Sequence, residues 1–197
     1  MPHDYNQSSD FEKIWQPIAD NFYISKYPTC VIKRYDSNSI EDLEFQKKDI
    51  DLTLILEDRK IHISEKFRKE EYGDCLIELY CKYPLKKGWM EDNESDFLAY
   101  FSPCNVRTMN MKSLLLWFHS QNIYEKLEIE IQKLNANNLN KSSRVKLNYK
   151  TSTQNPIELN VIQAFNKTKN TTWYTISTAI KWEDLKKDGL NVKEFII

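Results

Sequence analysis

Residues 49–57 and 61–66 alternate between apolar and polar side chains on either side of the polar triplet Asp58-Arg59-Lys60, and this pattern restricts the fold more than any other. A period of two places every second side chain on the same face of a strand. Leu52, Leu54 and Leu56 therefore share one surface, and Asp51, Thr53, Ile55 and Glu57 share the other. Ile61-His62-Ile63-Ser64-Glu65-Lys66 resumes the alternation, which predicts an antiparallel hairpin. With the loop over residues 58–61, Glu57 faces His62, Ile55 faces Ser64 and Thr53 faces Lys66, and Asp51 lies diagonally beside Lys66. One face then carries Asp51, Ser64 and Lys66, and the other offers Leu52, Leu54, Leu56 and Ile63 to a helix.

The flanking segments supply such helices and further strands. Phe11, Trp15, Ile18 and Phe22 recur at helical spacing, with Pro17 as a bend or a starting point, and residues 22–34 are rich in strand formers. Cys75, Leu76, Leu79 and Tyr80 predict a short helix over 72–83, closed before Pro84. The apolar run 97–101 predicts a buried strand, and residues 109–134 two helices divided near Ser120-Gln121-Asn122. Residues 145–149 and 173–180 alternate as strands that extend the sheet, and a short helix opening at Trp182 closes at Gly189. The expected organisation is a flexible polar start over 1–10 and one α/β domain over 11–197. Its core occupies about 11–134, and a strand-rich α+β extension follows over about 144–197.

Composition narrows the function classes. With 41% hydrophobic and 29% charged residues the chain has the balance of a globular protein that buries a core. Only three glycines, Gly73, Gly88 and Gly189, are present and far apart, which excludes the glycine-rich loops that cradle phosphates. The four cysteines lack C-x-x-C spacing and read as buried thiols rather than a zinc site. With no secretory signal or membrane-length apolar run, a cytoplasmic location is expected. A net charge of −1 leaves nucleic-acid binding to a local basic face, for which Lys47, Lys48, Arg68 and Lys69 are the candidates, with Lys86-Lys87 as a further basic pair.

A hairpin that starts with an acid and ends in a polar cluster with a lysine has chemical meaning. Phosphodiester cleavage requires a hard cation that polarises a phosphoryl oxygen and lowers the pKa of an attacking water, and Mg²⁺ prefers oxygen ligands such as Asp51. Lys66 can position that water and offset charge developing in the transition state. Glu78, on the expected helix, can aim a second carboxylate at the same place. His62 reads as structural, and no Gly-x-Ser-x-Gly turn exposes Ser64 as a nucleophile.

The series Asp49-Ile50-Asp51, hairpin, Ile63-Ser64-Glu65-Lys66-Phe67-Arg68 and Leu76-Ile77-Glu78 resembles the PD-(D/E)XK nuclease superfamily over about half the chain, residues 12–101. Gly88-Trp89 and Asp96-Phe97-Leu98-Ala99-Tyr100 resemble the continuation found in some of its small branches. The resemblance implies a restriction-endonuclease-like mixed central sheet flanked by helices, a Mg²⁺ or Mn²⁺ cofactor, and DNA or RNA as substrate. Carried over by position, it implies Asp51, the Ser64-Glu65-Lys66 triplet and, as an auxiliary acid, Glu12. Serine stands where the family's motif has its second acid, so Glu78, or Glu65 turned inward by a bulge, is expected to complete the metal set with Asp51. Two functions follow: a metal-dependent nuclease, or a protein that keeps this fold as a nucleic-acid- or protein-binding module without the chemistry. A homodimer is compatible with either.

Overall fold

The computed structural model describes residues 5–137, 140–168 and 170–197, with side chains from residue 11 onward. In chain order its elements are α1 (Tyr5–Lys26), β1 (Val31–Arg34), α2 (Ile40–Lys47), β2 (Leu52–Ile55), β3 (Lys60–Phe67), β4 (Asp74–Tyr83), β5 (Lys86–Lys87) and β6 (Phe97–Ser102). They continue with β7 (Asn105–Asn110), α3 (Met111–Ser120), α4 (Ile123–Asn137), β8 (Ser143–Lys150), β9 (Pro156–Lys167), β10 (Thr172–Lys181), α5 (Trp182–Lys187) and β11 (Lys193–Ile196). The protein is thus mixed α/β, with two sheets and, among the described residues, five helices. None of these helices is long and apolar enough to cross a membrane.

The chain divides into two compact units. The first comprises residues 5–72, 92–114 and 191–197 and holds a six-stranded sheet ordered β1-β2-β3-β6-β7-β11. All neighbours in it are antiparallel except β3 and β6, which run parallel with Ser64 opposite Leu98 and Lys66 opposite Tyr100. The second comprises residues 73–91 and 115–190 and holds a five-stranded antiparallel sheet ordered β5-β4-β10-β9-β8.

In the six-stranded unit, the apolar face foreseen for the hairpin is the core. Leu52, Leu54, Ile61 and Ile63 pack with Ala99, Phe101 and Val106 of β6 and β7 and with Ala19, Phe22 and Tyr23 of α1. Each such large side chain withdrawn from water contributes about 1.5–3 kcal/mol, so this face fixes the register more firmly than the turn does. The register itself differs from the expected one. Thr53 pairs with His62 and Ile55 with Lys60, because the turn is shorter and closes by Leu56 N–H donating to Arg59 at 2.9 Å. The shift is an even number of residues, so every side chain keeps its expected face.

Helix α1 begins at Tyr5 and runs through Pro17 rather than starting there, and it takes in residues 22–26, which were expected in a strand. Apolar contacts of Ala19, Phe22 and Tyr23 hold it to the sheet despite the missing N–H. Helix α2 went unforeseen, although Ser39 caps it by accepting from the Asp42 N–H at 3.1 Å and Glu41 and Asp42 fill its first turn. After it, Asp49 takes a φ of 53°, the left-handed conformation that Asp tolerates better than most residues, and turns the chain into β2.

The segment expected as a helix over 72–83 is strand β4 in the five-stranded unit. Cys75, Ile77 and Leu79 are all fully buried, a period of two that outweighs the helical spacing of Cys75, Leu76, Leu79 and Tyr80. Strands β8, β9 and β10 extend this sheet rather than the one containing the hairpin. Helix α4 packs on β8 and β9, burying Ile123, Leu127 and Ile131, with the break before it where Ser120-Gln121-Asn122 was expected to divide the helices. Gly88 is required where β5 turns back on β4, since a Cβ there would lie 2.0 Å from the Glu78 carbonyl oxygen. Of the four cysteines only Cys75 is buried, and Cys104 is exposed.

Candidate active site around Asp51

Asp51 sits just before β2, and its backbone is clamped on both sides. Its N–H donates to Ile63 at 2.9 Å, and its carbonyl accepts from the Tyr35 N–H at 3.0 Å. The side chain is thereby directed at the end of β3. Its Oδ2 accepts the Glu65 N–H at 2.6 Å and lies 3.5 Å from Ser64 Oγ and 3.7 Å from Lys66 Nζ. Asp51 and Lys66 are both partly open, at 42% and 26% side-chain exposure, so the ion pair is accessible to a solute. Among the described residues, no hydrogen bond reaches the other oxygen, Oδ1.

Glu12, on α1, responds to the same pair. Burial by its surroundings raises its carboxyl above the ordinary value, the Asp51 carboxylate raises it further, and the Lys66 ammonium opposes both. The structure therefore brings Asp51, Ser64 and Lys66 together, with Glu12 in electrostatic reach of Asp51 and Lys66.

Glu65 is placed differently from the expectation that a bulge would turn it towards Asp51. β3 pairs regularly with β2 and β6, so Glu65 stays on the Ile63 face with its side chain 2% exposed. There Arg34 Nη1 donates to Oε2 at 2.6 Å, and the Tyr23 hydroxyl donates to Oε1 at 2.9 Å. Arg34 also donates to Asp20 Oδ1 through Nη2 at 2.7 Å and Nε at 3.1 Å. Burial raises the Glu65 carboxyl while Arg34 and Tyr23 favour its charge, and the short guanidinium contact fixes it as one half of an ion pair. Burial also disfavours the Arg34 charge, but Glu65 and Asp20 together hold it firmly cationic. What reaches Asp51 from Glu65 is thus its backbone N–H, with the carboxylate turned to Arg34.

Arg34, Tyr23 and Asp20 were missed from sequence. The available signal was Glu65 itself, since a carboxylate on a core-facing stripe has to find a cation or donors to offset its desolvation. Glu78 stands on β4 opposite Ser177, in the five-stranded unit, instead of on a helix following β3. Among the described residues, no group of three or more His, Cys, Asp or Glu side chains is assembled as a metal site.

Further along the face that carries Asp51, towards the turn, the hairpin bears a polar chain. Tyr35 stacks on Phe45 at 4.0 Å and shares a hydrogen bond with Thr53, which in turn meets His62 Nδ1 at 2.8 Å. Of the basic residues, Lys47 is exposed in the last turn of α2 and Lys48 pairs with Glu94 at 2.7 Å. Arg68 stacks over Tyr72 at 4.4 Å, and Lys69 lies 5.3 Å from the Phe11 ring centre. Comparison with protein-family models, curated proteins and solved structures found no match to the chain.

Proposed function

We propose that the six-stranded unit is a restriction-endonuclease-like fold whose Asp51 site hydrolyses phosphodiester bonds of DNA or RNA with Mg²⁺ or Mn²⁺. The reading is supported by the order of elements, a helix, the antiparallel series β1-β2-β3 and then β6 parallel to β3. The observation that carries it is the convergence of Asp51 and Lys66 at the open end of that hairpin, with one Asp51 oxygen left for a ligand.

The donor set suits a hard cation that keeps part of its water shell. Mg²⁺ is commonly held by one or two carboxylates together with substrate phosphate, and here Asp51 and Glu12 would be those carboxylates. When bound, the ion would polarise the phosphoryl oxygen and acidify a water. The protein's own part is electrostatic and positional. Lys66 offsets negative charge gathering on the phosphoryl group, while the Glu65 N–H fixes the rotamer of Asp51. The Arg34–Glu65 pair anchors the strand that carries both. Lys47, Lys48, Arg68 and Lys69 belong to the same unit and are the proposed phosphate contacts.

The test is incubation of the full chain with plasmid, single-stranded DNA and RNA in Mn²⁺, comparing the wild type with Asp51→Asn and Lys66→Ala. Loss of cleavage in both variants is expected, and cleavage that survives both removes the assignment. A second reading, a binding module of the same fold without chemistry, is favoured by the Glu65 carboxylate being taken up by Arg34 and Tyr23. Calorimetric titration with Mn²⁺ separates the two. Saturable heat lost in Asp51→Asn supports the nuclease, and its absence from the wild type supports the module.

A further inference from the structure

The six-stranded unit contains a cavity of about 250 Å³ under the C-terminal end of α1, well along that helix from Glu12. From residue 12 to residue 26 an α-helix rises roughly 20 Å, so this is a place separate from the Asp51 site. Its floor is the sheet, through Leu54, Ile63 and Ala99, and its walls are aromatic, with Phe22 from α1 and Phe195 from β11. Lys26 and Lys193 also line it, whereas its described lining contains no carboxylate.

We propose that this cavity binds a small apolar monocarboxylate, with a hydrocarbon or aryl body of about six to ten carbons and its carboxylate between Lys26 and Lys193. Size sets the body: an apolar cavity of ~150 Å³ accommodates benzene, so the larger space here takes a somewhat longer group. Polarity sets the interior, because water in a pocket walled by Phe, Leu and Ile finds few partners and is displaced favourably by carbon. Charge sets the head group. The Lys26 ammonium rests 4.3 Å from the Phe195 ring centre and 5.9 Å from that of Phe22, so this exposed side chain keeps its charge at the aromatic rim of the cavity. The last carbonyls of α1 disfavour an anion nearby, so the attraction has to come from the two lysines.

Isothermal titration of the full chain with octanoate, octanol and octylammonium tests the assignment. Octanoate is expected to saturate one site below about 1 mM and to bind about fivefold to tenfold more tightly than octanol, with octylammonium weakest. Lys26→Ala combined with Lys193→Ala should remove the preference for octanoate over octanol. Thr108→Trp, which places a ring into the cavity from β7, should abolish binding of both while circular dichroism remains that of the wild type. Absence of saturable octanoate binding overturns the proposal, as does equal binding of the three probes or a preference that survives the double lysine substitution. Sedimentation velocity adds one more outcome. A dimer that Lys26→Glu dissociates would assign the cavity to a second copy of the chain and likewise overturn the proposal.

Discussion

Asp51 and Asp188 are carboxylates at the ends of regular elements, one in each unit, and hydrogen-bond donors surround them very differently. Asp188 caps α5. Its Oδ1 accepts from Thr151 at 2.8 Å, from Asn155 at 2.9 Å and from Thr153, and its Oδ2 accepts from Trp117 Nε1 at 2.5 Å. Both of its oxygens are occupied, and the residue ties α3, the β8–β9 turn and α5 together. At Asp51 the described contacts converge on Oδ2 alone, and an ammonium stands beside it. A carboxylate saturated by neutral donors is committed to holding structure, whereas one held by a single oxygen beside a partly exposed ammonium keeps capacity for a ligand. The same side chain is saturated by donors in one unit and, in the other, keeps an oxygen for the chemistry proposed above.

The comparison can be broken most forcefully at Arg34, which lets Asp51 remain open by neutralising the acid behind it. Arg34→Met strands the Glu65 charge in the core and should cost about 3–5 kcal/mol in urea unfolding, whereas Arg34→Met with Glu65→Leu should recover most of the loss. A single substitution as mild as a surface change would show that Glu65 does not depend on this partner. Next is Asp51→Asn, which keeps the shape and removes the charge. Metal-dependent cleavage should fall about 100-fold or more, close to 3 kcal/mol of barrier, with little change in thermal stability. A large loss of stability instead would place Asp51 in the same class as Asp188.

Asp188→Asn should behave in the opposite way, costing about 1–3 kcal/mol of stability while leaving cleavage unchanged. Its pH dependence sharpens the contrast. Burial alone would raise the Asp188 carboxyl, but donors from Thr153, Trp117, Asn155 and Thr151 hold it below the ordinary value. The unfolded chain then binds this proton more readily than the folded one. The stabilisation is therefore fully present above the usual Asp value near 4 and fades as pH falls through the lower folded value. Unfolding curves of wild type and Asp188→Asn should converge in that acid range. The smallest effect belongs to the rim. Lys69→Ala should lower nucleic-acid affinity modestly and reduce the salt slope of binding by about one, and an unchanged slope would remove Lys69 from the interface.

The hairpin was legible because its alternation is strong and one of its faces is wholly apolar. That is why Leu52, Leu54 and Ile63 lie in the core even though the register differs, and why Asp51 still reaches Lys66. Segment 72–83 was not legible in the same way. Its apolar residues satisfy both a helical and an alternating template, and only the neighbouring strand β10, almost a hundred residues away in the chain, selects the strand. Strands β7 and β9 were missed for a different reason: each forms a hairpin with a neighbour in the chain, but buried polar positions such as Arg107 and Gln163 blur their apolar alternation, whereas β11 is mostly exposed and pairs with the distant β7.

Local pattern alone thus determined which residues of the hairpin face carbon and which face water, and with that the meeting of an aspartate with a lysine. Periodicity is a short-range property that the chain carries with it into any fold. The tertiary structure decided the fate of charge. Glu65 became a partner of Arg34 and Tyr23, and Glu78 went to a strand of another sheet. Those outcomes depend on which distant donors arrive to offset desolvation, and no spacing along the chain encodes that arrival.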